Sequence, residues 1–153
     1  MLVTRECLLR PVGRVDCAVP DAEIARQRRT LVSDIVIFDP FAPALAGIDA
    51  YSHLFVLFWM DRRPASPPLL AHPRNDPTLP PTGAFAMRGR NHPNPIGLAV
   101  VELLARRDTR LTVRRLDAFD GTPVLDIKPY DHYDVVADPR VPQWFLERAG
   151  RAD

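Results

Sequence analysis

Cysteine is scarce in this chain. Only Cys7 and Cys17 are present, too few for a disulfide scaffold and without metal-ligand spacing, so the expectation is reduced core thiols and no metal. Lysine is scarcer still, because Lys128 is the one lysine among 20 basic residues. With a formal net charge of +1, the surface as a whole lacks the basic footprint of a protein that grips nucleic acid through many phosphates. A nucleic-acid site must therefore be a local patch. The longest apolar run, Leu54 to Met60, is far below the roughly 20 residues needed to span a bilayer, and no apolar run follows a basic N-terminus. A soluble, cytoplasmic protein with no membrane partner is expected. Gly-rich phosphate loops, zinc spacings and nucleophile elbows are also missing. His53, His72, His92 and His132 are too scattered to form a ligand pair.

What the chain does have is proline. Its 17 Pro against 7 Gly argue against long helices, and 153 residues with 46% hydrophobic content suit one domain over 1–153 with a real core. Segments rich in β-branched, Leu or aromatic residues predict strands over Leu2 to Leu9, Leu31 to Phe38, His53 to Met60, Gly83 to Arg88, Arg110 to Leu116 and Val124 to Ile127. Gly97 to Arg107 fits helix or strand by periodicity and is read as strand. The expected fold class is mainly β, a small closed β-barrel. Pro64 to Pro81 reads as one long Pro-rich loop, and Val141 to Ala149 as a short C-terminal helix with Pro142 in its first turn.

Two segments look chemical rather than structural. In Ala86 to Leu98 (AMRGRNHPNPIGL), polar side chains are set between Pro93 and Pro95, which fix the backbone and lower the ordering cost of binding. In Leu116 to Tyr130 (LDAFDGTPVLDIKPY), Asp120-Gly121 signals a turn, and strand alternation places Asp126 and Lys128 on one face. From spacing alone, a salt-bridged surface hairpin is the better account of the second segment.

The order of motifs resembles the TrmO (TsaA-like, YaeB-like) family: Ser52-His53, Val56-Leu57-Phe58-Trp59, His72-Pro73-Arg74, Pro93-Asn94-Pro95-Ile96-Gly97-Leu98 and the unbroken run Asp120 to Tyr130. The resemblance implies a TsaA-like barrel, commonly homodimeric, that binds S-adenosyl-L-methionine outside the usual methyltransferase fold. It implies methyl transfer to the exocyclic N6 of threonylcarbamoyladenosine next to the tRNA anticodon. By motif position it assigns the cofactor to Arg26, Gln27, Asp61, Arg62, Arg88, Leu98 and the run Asp117, Ala118, Phe119, Asp120. Carboxylates suit the ribose hydroxyls or the ammonium, Arg88 the carboxylate, and Leu98 the adenine. Asp126 and Tyr130 are the candidate proton acceptors, with Lys128 toward RNA phosphate or the threonyl carboxylate. His72, Arg74, His92 and Asn94 fall on the substrate side.

Departures from the family pattern bear on the substrate. Asp61 stands where His is usual after Phe-Trp-Met, and Met87-Arg88-Gly89-Arg90-Asn91-His92 stands where most members read Thr-Arg-Ser-Pro-x-Arg. A role for the replaced Arg in gripping RNA does not transfer unaltered to His92. Two rival functions follow. One is a cofactor-binding sensor or small-molecule methyltransferase. The other is a non-catalytic RNA-binding module using Arg28-Arg29, Arg62-Arg63, Arg106-Arg107 and Arg114-Arg115 as phosphate contacts.

Overall fold

A computed structural model describes residues 5–149. In chain order its regular elements are β1 (Gly13–Asp16), α1 (Asp21–Gln27), β2 (Val32–Ile37), β3 (His53–Trp59), β4 (Leu70–Ala71), β5 (Thr82–Gly83), β6 (Ile96–Arg107), β7 (Arg110–Arg114), β8 (Pro123–Pro129) and α2 (Gln143–Ala149), with short 3₁₀ turns between them. Six strands close a barrel in the order β1, β2, β7, β6, β3, β8, while β4 and β5 form a separate two-stranded sheet. All strand pairings among the described residues are antiparallel. The expected closed barrel is thus the observed one.

Alternation decides what fills it. Leu54, Val56 and Phe58 of β3 point inward with Val15, Ile35, Val101, Leu111, Val113 and Val124, all buried. Gly97 is required where β6 crosses β3, because an added Cβ would lie 2.3 Å from the Phe58 ring. The outward row of β3 is Phe55, Leu57 and Trp59. Register places Val100, Leu98 and Ile96 of β6 against that row on one side. Lys128 and Asp126 of β8 pair with Phe55 and Leu57 on the other. The ladder shifts register at Leu57/Phe58, leaving Leu125 as an extra residue on β8, and this bulge bends the strand.

Several sequence expectations need correction. The strand over Leu2 to Leu9 begins outside the described residues, and Arg5 to Leu9 belong to no regular element; the first strand is Gly13–Asp16. Gly83 to Arg88 contributes only Gly83 to a strand and then turns through a 3₁₀ helix over Ala84–Ala86. It offers a sheet no apolar face, because Ala84 is buried while Phe85 is 87% exposed. The long Pro-rich loop carries β4 and a 3₁₀ turn over Pro73–Asn75. Helix α1 was not anticipated, although Asp21 and Glu23 in its first turn are a helix-start signal. Cys17 is buried as expected, but Cys7 is exposed. Gly97 to Arg107 is strand, and the terminal helix starts at Gln143, after Pro142.

Candidate functional site

At the Trp59 end of the barrel, three separate segments meet. Arg62 donates from Nη1 to the Asp21 carboxylate of α1 and from Nη2 to the Asp120 carbonyl at 3.3 Å. Its guanidinium carbon lies 5.0 Å from the Phe119 ring centre, within cation–π range. Asp120 in turn accepts the Cys17 backbone N–H on Oδ1 at 3.0 Å, which ties the Asp120-Gly121 turn to the end of β1. Gly121 has φ of 77°, so the turn needs the glycine. Arg90 donates to the Arg62 carbonyl at 3.2 Å, and Arg63 donates to the Pro93 carbonyl at 3.3 Å. The loop after β3 and the Pro93-Asn94-Pro95 turn are thereby fastened together.

The rigid turn then delivers β6. The Asn94 carbonyl accepts from Ile96 at 2.7 Å, and the Pro95 carbonyl accepts from Met60 at 2.7 Å. Arg88 donates to the Leu98 carbonyl at 3.2 Å, so these two cofactor candidates are neighbours. The His92 ring nitrogen Nε2 lies 2.8 Å from the Met87 carbonyl, and the ring is 6.1 Å from that of Phe85. His92 thus closes its own loop.

On the same outer face, Leu98, Leu57 and Asp126 lie side by side on β6, β3 and β8. At roughly 4.8 Å per strand step, Asp126 is about 10 Å from Leu98. Lys128 Nζ is 3.1 Å from Asp126 Oδ2, and both side chains are more than half exposed. The other Asp126 oxygen accepts the Ile127 N–H at 2.8 Å. Tyr130 continues the row further down, its ring 5.3 Å from Phe55 and 6.4 Å from His53. No hydrogen bond or ion pair among the described residues joins Asp126 to the segment 117–120. The structure instead reaches the Asp120 turn through Arg62, and reaches Asp126 across Leu57 from Leu98.

Asp117 stands apart electrostatically. Desolvation by the surrounding protein pushes its carboxyl above the usual aspartate value, and the nearby Arg28 charge only partly opposes this. Ala118 is buried and acts as an anchor for the segment. Gln27 is engaged with Glu23 at 3.0 Å on α1, and Arg26 sits in the last turn of that helix. Asp61 is exposed, and its carbonyl accepts from Arg63 at 3.1 Å. His72 and Arg74 belong to a different neighbourhood. The His72 ring bonds the Leu79 carbonyl at 2.6 Å, and Arg74 faces α2. Sequence reasoning missed Asp21 and Arg90, and read Cys17 only as a core thiol and Arg28 only as a phosphate contact. The first-turn acids of α1 were the available signal for Asp21.

No group of three or more His, Cys, Asp or Glu that could hold a metal occurs among the described residues. No helix among them is long and apolar enough to cross a membrane.

Fold and site define a small antiparallel barrel with charged groups gathered on its outer face and at one end. The chain belongs to the family of the tRNA-methyltransferase O N-terminal domain, whose model matches residues 19–135. An S-adenosyl-L-methionine-binding protein of Archaeoglobus fulgidus is 41% identical over 126 residues, 80% of this chain and 88% of its own length. A longer relative from the same organism is 44% identical over 115 residues, 74% of this chain and only 30% of its own. Among solved structures, one of TrmO superposes with a TM-score of 0.72 at 32% identity, over 90% of this chain and 64% of that one. Another, TrmO from Pseudomonas aeruginosa, gives 0.70 at 33% identity over 89% and 62%. The chain therefore spans under two thirds of these TrmO chains.

Proposed function

We propose that this protein binds S-adenosyl-L-methionine at the Trp59 end of the barrel and transfers its methyl group to a nitrogen acceptor, the N6 of threonylcarbamoyladenosine next to the tRNA anticodon, in the cytoplasm. The observation that carries the reading is the convergence of Arg62, Phe119 and Asp120 in a member of this family. The donor set fits the ligand. Arg88 and Arg62 match its carboxylate, Asp117 and Asp120 its ammonium or ribose hydroxyls, and Leu98 and Phe119 its adenine. The Asp120 Oδ1 is committed to Cys17, which leaves Oδ2 for the ligand.

When bound, the cofactor supplies an electrophilic methyl group. The residues around it position the acceptor and exclude water, because charge disperses on the way to the transition state of such a transfer. Asp126 takes the proton leaving the acceptor nitrogen, and Lys128, 3.1 Å away, holds that carboxylate in place and faces phosphate or the threonyl carboxylate. Tyr130 lies two alternation steps, about 13 Å, from Asp126, which suits contact with a distant part of the substrate better than proton transfer.

A homodimer forms part of this reading. Ile96, Leu98 and Val100 are 39%, 51% and 37% exposed and line up with Trp59, Leu57 and Phe55 on one apolar sheet face, which pairing would bury. Light scattering at micromolar concentration should report about twice the 17.2 kDa chain mass, and a lone 17.2 kDa species would count against pairing.

The decisive assay is nucleoside mass spectrometry of tRNA with and without the threonylcarbamoyl group, after incubation with enzyme and cofactor. Product only from the modified tRNA is expected. A second reading, methyl transfer to a small molecule or a sensor role, is favoured by the net charge of +1 and by a His92 spent on its own loop. Cofactor binding by calorimetry without product from either tRNA selects it. Absence of cofactor binding selects a non-catalytic RNA module.

A further inference from the structure

Helix α2 touches the turn over His72 to Asp76, away from the cofactor candidates. The Arg74 guanidinium carbon is 6.0 Å from the ring centres of both Trp144 and Phe145. Arg148 Nη2 is 2.6 Å from Asp76 Oδ2, with each side chain 27% exposed. Asp76 Oδ1 meanwhile accepts from the backbone and hydroxyl of Thr78 at 2.9 and 2.5 Å. The turn itself is preset. Pro73 is buried, the Asn75 and Asp76 N–H groups bond back to His72 and Pro73, and Arg74 and Asn75 hold left-handed φ of 53° and 56°.

The helix, by contrast, is loosely held. It has seven residues, too few to be stable alone. Phe145 is 42% and Leu146 58% exposed. Among the described residues, its side chains reach the rest of the protein through the Arg148 ion pair and the Arg74 ring contacts. Such a segment opens at low free-energy cost while the turn stays formed. A guanidinium plane stacks equally on an aromatic side chain and on an unpaired nucleobase.

We propose that α2 is an intramolecular competitor for single-stranded RNA: Arg74 is a stacking platform for an unpaired base, and Trp144 and Phe145 occupy it when RNA is absent. This rests on the reading that the protein acts on RNA and adds how access to the His72 to Asp76 surface is controlled.

The protein has two tryptophans, Trp59 and Trp144, so a Trp59→Phe background leaves Trp144 as the reporter. Titration with unstructured oligoadenylate of about ten nucleotides should shift Trp144 emission to the red as the helix leaves. Trp144→Ala/Phe145→Ala, which alters no charge, should bind the oligonucleotide about threefold tighter or more, as expected when a competitor holding most of the population is removed. Adding Arg74→Ala should cancel that gain. Arg148→Gln guards against an unstable double variant. It removes one positive charge, so electrostatics alone would weaken binding, whereas helix release tightens it. Oligonucleotide binding with unmoved Trp144 emission, or affinities in both variants no tighter than the parent, would overturn the proposal. No cofactor is involved, so competition that persists without tRNA methylation sinks the catalytic reading alone. Methylation without competition sinks this one.

Discussion

Arg62 bridges two otherwise separate segments, its guanidinium 5.0 Å from the Phe119 ring while it donates to the Asp120 carbonyl at 3.3 Å and to the Asp21 carboxylate. One cation thus holds the ring and the backbone of the turn whose carboxylate, bonded by the Cys17 N–H, the proposed cofactor would meet. The ion pair with Asp21 is half exposed at both ends and adds little stability by itself. Its consequence is orientation.

Cofactor affinity should therefore depend on charge at this end of the barrel. Asp120→Asn keeps an oxygen to accept the Cys17 N–H and so preserves the turn. Arg88→Ala loses one hydrogen bond among the described residues, to the Leu98 carbonyl. Each should weaken S-adenosyl-L-methionine binding about tenfold or more, about 1.4 kcal/mol. Calorimetry with melting curves as a control checks this. Unchanged affinity in both variants removes the two residues from the site.

Acid should loosen the β1, β2, β7 side of the barrel. Arg110 Nη1 lies 2.9 Å from Asp16 and 2.8 Å from Asp34, and Thr112 donates to Asp34 at 2.7 Å. Burial alone would raise the Asp34 carboxyl, but hydrogen bonds from Thr112 and Arg110 and the Arg110 charge outweigh it, leaving the group below its usual value. A lowered folded value means this stabilisation is present above the ordinary aspartate range near 3.9 and lost as pH falls through the folded value. Asp34→Asn should cost about 1 kcal/mol at pH 7, since the network is partly exposed, and should flatten the loss of stability below about pH 4. Urea melts from pH 3 to 7 give the slope directly, and a variant with the parent's slope would contradict the assignment.

Crowding at one glycine is a test of the fold. An added Cβ at Gly97 meets three atoms of the Phe58 ring at 2.3 to 2.7 Å, and Phe58 is in the core. Gly97→Ala should destabilise by about 1–3 kcal/mol through overpacking. Combining it with Phe58→Leu should recover part of that loss, because the two effects share one space. Strict additivity of the two melts would mean that the ring does not press on β6.

The barrel was legible in the sequence because its strands alternate. Leu54, Val56 and Phe58 are the buried row of β3, and the same period placed Asp126 with Lys128 on one face. What alternation could not carry was distance along the chain. It says nothing of what meets across strands, where Arg62 bonds the Asp120 turn while Asp126 lies one strand from Leu57 and two from Leu98. Short elements were also lost. The two-residue strands β4 and β5 and the seven-residue α1 contain too few residues to show a period. The tie between Arg74 and α2 spans about seventy residues of sequence and has no local signal at all.

The last prediction concerns the proton. Asp126 faces outward beside Leu57, about 10 Å from Leu98, with Lys128 at 3.1 Å and the Ile127 N–H donating to the second oxygen. It is fixed in direction yet open to solvent on the face where an acceptor nitrogen would approach. Asp126→Asn keeps the shape and removes the basicity. If the carboxylate takes the proton from the acceptor nitrogen, turnover on modified tRNA should fall by about 10²-fold or more, while calorimetric affinity for the cofactor stays near that of the parent. Lys128→Met breaks the same ion pair but leaves the carboxylate, so it should cost much less in single-turnover rate at saturating tRNA and more in KM, as expected for a substrate contact. Equal losses in the two variants, tracking equal losses in melting temperature, would mean that the pair only braces β8 and that the proton acceptor is elsewhere on this face.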